Sequence, residues 1–142
     1  MAEVHDLAGR LTAGGHQLRQ RVYFEDTDFP GLVYHARYLH FFERGRSDYL
    51  RLLGVHHNEL AAEGLAFAVK TMMLDFKKPA RIDNILTITT EPEVVGGARI
   101  RLKQAIARDE TVLVTAKVEV ALINAGGKPQ RLPLALRAAL AR

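Results

Sequence analysis

The chain has 142 residues, 48% of them apolar and 25% charged, with a net charge of +4 and no cysteine. This fits one globular domain with a core of its own. It excludes disulfides, a thiol nucleophile and thiolate metal sites. No window approaches the ~18 apolar residues of a membrane span, so none is expected. The basic residues are scattered and form no basic-aromatic or helix-turn-helix pattern, so nucleic acid is not an expected partner. A modest positive field also suits an anionic small-molecule tail such as a nucleotide phosphate.

Residues 1–16 are mixed and Gly-containing and lack the apolar run of a signal peptide. They are expected to be a loose leader to a single domain over 17–142, with a cytoplasmic location. Gln17 to Glu25 alternates loosely and predicts a strand. Three acids close it (Glu25, Asp26, Asp28), and the Pro30-Gly31 turn follows. Tyr34 to Leu53 predicts the long helix. At ~100° per residue Tyr38, Leu39, Phe42, Tyr49, Leu50 and Leu53 share one face, and Gly54 stands at the stop. A short helix is predicted over Asn58 to Glu63.

The period then changes. Leu65 to Phe76, Asn84 to Glu91, Ala98 to Ala107 and Thr111 to Ile123 predict four strands, the last two alternating most clearly. Gly96-Gly97, Asp109-Glu110 and residues 124–127 punctuate them, and LPLALRAALAR predicts a short terminal helix. One helix across a five-stranded antiparallel sheet, its last four strands able to run as a meander, gives a two-layer α+β domain. The far face and edges of such a sheet need cover, which a second copy can supply.

The segment Tyr23 to Arg46 carries the chemistry. If the strand continues through EDTD, Asp26 and Asp28 point to one side and Glu25 to the other. On composition alone, a solvated acidic strand end is the favoured account. The alternative is a carboxylate set before the amide-rich start of a helix. There the unpaired N–H of Tyr34 or His35 can polarise a thioester carbonyl, and a carboxylate can activate or be a nucleophile.

Metal is not expected. DTDFPG opens like a calcium loop, but Pro30 takes the place of the third acid and Arg37 that of the twelfth residue. His35 and His40 do not share a helix face. Arg46 falls inside the apolar stripe and is expected to face the sheet, paired with Glu43 or Asp26 as a prop for the acidic loop.

RVYFEDTDFPGLVYHARYLHFFERGR, followed by FKKPARIDNILTI, resembles the signature of the hotdog-fold acyl-CoA thioesterases. It is most similar to the YbgC-like branch, associated with the Tol-Pal system, within the 4-hydroxybenzoyl-CoA thioesterase superfamily. The resemblance spans roughly residues 17–137. It implies a long central helix wrapped by an antiparallel sheet, with homodimers or homotetramers and sites at subunit interfaces. It also implies Asp28 as the catalytic carboxylate, and His35 as backbone oxyanion donor and side-chain contributor.

Asp26, Glu43 and Arg46 are then supporting residues. No cofactor is implied beyond the CoA of the substrate, and acyl carrier protein or envelope-associated proteins are the further partners. Gly45 stands where many relatives have alanine, a compatible departure. Phe29-Pro30 replaces small residues and is expected to narrow the pocket mouth. The expected reaction is hydrolysis of an acyl-CoA thioester to a carboxylate and CoA. The rivals are a hotdog hydratase or dehydratase and a non-catalytic acyl-CoA or acyl-carrier-protein binder.

Overall fold

A computed structural model describes residues 6–141. In chain order it contains β1 (Arg10–Leu11), β2 (His16–Arg21), β3 (Thr27–Asp28), β4 (Leu32–Val33), α1 (Arg37–Leu52), α2 (His57–Ala62), β5 (Leu65–Phe76), β6 (Ile85–Val95), β7 (Arg99–Arg108), β8 (Thr111–Asn124) and α3 (Leu134–Leu140). Six strands form one antiparallel sheet in the order β1-β2-β6-β7-β8-β5, and β3 and β4 pair as a separate ribbon. This is the α+β architecture the sequence implies, with α1 lying across β2, β6 and β7.

Two expectations change here. The last four strands do not run as a meander, because β5 lies beyond β8 at the far edge. Alternation says which face a strand buries but not which strand it joins. Here β5 finds its ladder along nearly the whole of β8, from Leu65 opposite Asn124 to Phe76 opposite Val114. The expected leader is ordered from residue 6 onward. Arg10 and Leu11 pair with Gln17 and His16, adding a sixth strand, and residues 1–5 lie outside the described ones.

The sheet turns Leu86, Ile88, Ile100, Leu102, Ile106, Val114, Val118 and Val120 toward the helix. Its outer face carries cross-strand ion pairs instead, Arg99 and Arg101 with Glu119 and Lys117 with Glu93. In β8 the alternation breaks where the register shifts, opposite Ile106 and Ala107. There Leu113 and Val114 are both buried and Val112 is exposed, as a bulge requires.

Helix α1 buries Tyr38, Phe41, Phe42, Tyr49 and Leu50. Burying a side chain as large as Phe41 or Phe42 contributes about 2–3 kcal/mol. Leu39 is 40% exposed and Phe41 takes its place in the core. The helical phase is set by the sheet contact and sits slightly off the stripe read from the sequence. The helix stops as expected: Gly54 has φ +94, and the N–H groups of Gly54 and Val55 cap Arg51 and Leu50. At Gly45 helix and sheet approach closely, so that an added Cβ would sit 2.9 Å from Ile88 Cγ2.

Candidate active site

The predicted first strand ends early. Phe24–Asp26 form a 3-10 turn between β2 and β3, which breaks the alternation and separates the acids. Asp26 is 2% exposed. Its carboxylate accepts the Tyr23 N–H at 2.9 Å and pairs with Arg37 Nε at 3.2 Å. Arg37 also donates to the Glu25 carbonyl at 3.1 Å. Asp28 lies beyond this clamp, exposed, at the tip end of the β3–β4 ribbon. Asp26 and Asp28 therefore do not share a side: one holds the loop and the other faces solvent.

The ribbon pairs Asp28 with Leu32 and Thr27 with Val33, and the Tyr34 N–H extends it by donating to the Asp26 carbonyl at 3.1 Å. The chain then tightens. Arg37 N–H donates to the Tyr34 carbonyl at 2.8 Å and Tyr38 N–H to that of His35 at 3.4 Å. The regular helix accordingly begins at Arg37, three residues later than the sequence predicts. Between the spent Tyr34 N–H and the helix, the His35 and Ala36 N–H groups have no acceptor among the described residues. His35 follows two residues after Val33, where the ribbon strand ends. The His35 ring is exposed and meets Phe76, at the end of β5, edge-on at 6.4 Å.

A second segment, residues 77–84, braces this ribbon. The Ala80 carbonyl accepts the Val33 N–H at 3.0 Å, and its own N–H donates to Tyr38 Oη at 2.8 Å. Ile82 N–H reaches the Gly31 carbonyl at 3.1 Å, and Arg81 bridges Leu32. Burial pushes the Tyr38 phenol up, partly opposed by the Ala80 bond, so it stays a neutral acceptor. Arg37, Tyr38 and Ala80 were missed by sequence reasoning. A tyrosine on the apolar stripe, whose hydroxyl must find a partner when buried, was the available signal.

Arg46 does face the sheet and is 8% exposed, but it does not prop the loop. Asp26 is taken by Arg37. Glu43 forms no ion pair with Arg46 within 4.0 Å among the described residues and instead accepts the Ser47 hydroxyl at 2.6 Å. Arg46 Nη1 donates to Gln104 Oε1 at 3.1 Å, and Gln104 Nε2 donates to Phe42 O and Thr90 Oγ1. Gln104 and Thr90 occupy apolar-face positions of β7 and β6, a pattern that an arginine on the facing stripe could have flagged. Burial lowers the Arg46 pKa, with the Glu43 carboxylate opposing it.

Phe29 is 96% exposed. Among the described residues no three His, Asp or Glu side chains gather as a metal set.

A family model for the thioesterase-like superfamily matches residues 22–140. The chain is 45% identical over 127 residues to acyl-CoA thioesterase YbgC of Haemophilus influenzae, covering 88% of this chain and 93% of that one. It is 41% identical over 115 residues to acyl-CoA thioester hydrolase YbgC of Escherichia coli O6:H1, covering 80% and 86%. A probable thioesterase from Bartonella henselae superposes with a TM-score of 0.80 at 54% identity, covering 84% of this chain and 99% of that one. On these grounds, together with the sheet and central helix described above, the chain belongs to the thioesterase-like superfamily, with the YbgC acyl-CoA thioesterases among its relatives.

Proposed function

We propose that this protein hydrolyses acyl-CoA thioesters to a carboxylate and free CoA, with Asp28 and the His35 N–H as the reacting pair. The observation that carries this reading is an exposed carboxylate on a braced ribbon that leads directly into an amide with no acceptor. The thioester carbonyl oxygen accepts the His35 N–H, whose donation strengthens as the oxyanion forms. Such a donor is worth about 3–4 kcal/mol in the transition state. The Tyr34 N–H, already bonded to Asp26, is left out of this role. Asp28 either takes a proton from the attacking water or attacks the carbonyl itself to give a mixed anhydride that water then cleaves. In both routes the C–S bond breaks and CoA leaves as a thiolate. In this reading the His35 ring, which meets Phe76 edge-on, contacts the acyl or thioester portion.

Strand β5 is hydrogen-bonded on one side only among the described residues and exposes Val69, Met73 and Phe76. A twelve-residue open edge of this kind favours pairing with a second copy. Such pairing places the partner beside Phe76 and His35.

The test is thiol release from a panel of acyl-CoAs, run beside enoyl-CoA hydration. Release of CoA without hydration supports the reading. Hydration without release makes the protein a hydratase, and binding with neither makes it an acyl-CoA binder. Single turnover in oxygen-labelled water separates the two routes. Label in the Asp28 carboxylate requires direct attack with water opening the anhydride at the Asp28 carbonyl. Label confined to the product acid fits water activation and equally an anhydride opened at the acyl carbon, which trapping of the acyl-enzyme then distinguishes.

A further inference from the structure

The imidazole of His16, at the start of β2, is 1% exposed and takes no part in the reaction above. Its Nε2 lies 2.7 Å from the Ala8 carbonyl, which can only accept, so Nε2 carries the ring proton. Nδ1 is then a bare lone pair, buried with no partner among the described residues. The ring stacks on Tyr49 of α1, with centroids 5.7 Å apart. A neutral imidazole fits this place. A second proton would set an N–H and a positive charge where nothing accepts either.

The cover over the ring is lightly held. It is made of the turn that ends at Ala8, then Gly9 and β1, which joins β2 through two residue pairs, Arg10 with Gln17 and Leu11 with His16. Leu7 and Leu11 are exposed, so apolar burial does little to hold this segment down. Gly9, at φ +73, lies against the ring: an added Cβ would stand 3.1 Å from His16 Nε2 and closer still to the Gln17 carbonyl. The charged residues on the surrounding elements are Asp6 in the turn, Arg10 on β1, Asp48 on α1 and Glu91 on β6. Arg10 donates to Gln17 Oε1, Asp48 pairs with Arg51 at 3.4 Å and Glu91 with Lys103 at 3.9 Å. Burial disfavours the charged ring, and the Ala8 carbonyl and the Asp48 carboxylate oppose it without prevailing.

We propose that His16 is an acid-released latch: proton uptake at Nδ1 lifts residues 7–12 off α1 and the start of β2 and uncovers the Tyr49 flank of α1. The lifted imidazole takes up a proton near pH ~6.5 and the covered one only at lower pH. The cover is therefore held above that pH and released as pH falls below it. Between about pH 7.5 and about pH 5.5 the lifted fraction should grow by about tenfold.

The test is hydrogen exchange of the intact protein at these two pH values, read as protection factors so that the pH dependence of the chemical step cancels. The reporter is the Thr12 N–H, which donates to the Gly15 carbonyl at 2.9 Å, and the ladder amides of β7 and β8 are the internal control. Thr12 protection should fall by about tenfold at the lower pH while that of β7 and β8 holds. In His16→Gln, whose amide can keep the bond to Ala8 and does not titrate, Thr12 protection should be the same at both pH values. Gly9→Ala forces the cover away by its clash with the Gln17 carbonyl. Its His16 ring, followed by proton resonance, should titrate near pH ~6.5, which keeps the test decisive if His16→Gln does not fold. Equal Thr12 protection at both pH values, an equal fall in His16→Gln, a matching fall in β7 and β8, or a Gly9→Ala ring that titrates as low as in the wild type overturns the proposal.

Discussion

Replacing Tyr38 with phenylalanine removes one oxygen and keeps the ring between Phe41 and Phe76. That oxygen accepts the Ala80 N–H at 2.8 Å, and Ala80 is fully buried. The variant leaves this amide without a partner in a place water does not reach. Stranding a buried donor costs about 1–3 kcal/mol, more than the ~1 kcal/mol net worth of an ordinary hydrogen bond. For a chain of this size the melting temperature should fall by roughly 3–9 °C, at ~3 °C per kcal/mol.

The functional consequence follows from Ala80, whose carbonyl holds the Val33 N–H at the base of the ribbon that carries Asp28. Thiol release should therefore drop, in kcat more than in KM, at a temperature where the variant is still folded. Urea unfolding followed by circular dichroism gives the stability term and initial rates give the second. A loss below ~0.5 kcal/mol with unchanged kcat would show that residues 77–84 do not brace the site.

Three further outcomes follow from the same contacts. Asp26→Ala should cost about 2–4 kcal/mol, because the Tyr23 N–H and Arg37 lose a buried acceptor, and should depress turnover; a variant as stable as wild type in urea would contradict this. Gly45→Ala should lose about 1 kcal/mol net: the helix gains up to ~1 kcal/mol, but contacts with Ile88 Cγ2, Thr90 Oγ1 and Gln104 Nε2 at 2.9–3.3 Å cost about 1–3 kcal/mol. A higher urea midpoint would refute the close approach. Burial holds the His16 imidazole below its ordinary pKa, with the Ala8 carbonyl and the Asp48 carboxylate opposing, and its Nδ1 has no partner. The unfolded chain takes up that proton near pH ~6.5 while the folded one does not. Stability should thus be retained above this pH and lost as pH falls below it toward the lower folded value. In His16→Gln the decline in urea midpoint between about pH 7 and about pH 5 should be shallower; parallel declines would contradict the assignment.

Much of this was legible in the sequence, and particular residues show where legibility ended. The long helix, its Gly54 stop and the four later strands follow from period and turn chemistry. The inward turn of Arg46 follows from the helical wheel. Its partner does not, because Gln104 lies 58 residues away and only the sheet register brings it opposite. The strand order was hidden for a similar reason: alternation fixes a face and leaves the neighbour open. At the site, EDTD reads as continuous strand unless the 3-10 turn at Phe24–Asp26 is known. That turn decides which acid is buried. It leaves Asp28 outward and Asp26 inward, and the ladder from Asp26 to Tyr34 decides which helix-start amide remains open.

The account rests on Asp28, and one comparison tests it most directly: initial rates of thiol release from acyl-CoA by the wild type and by Asp28→Asn, with urea midpoints measured alongside. Asp28 is exposed and its side chain makes no hydrogen bond among the described residues, so the midpoints should coincide. Turnover should fall by about 10²–10⁴-fold, the span expected for removing a general base. An Asp28→Asn enzyme that keeps turnover within about threefold of wild type, well short of that span, would contradict the account.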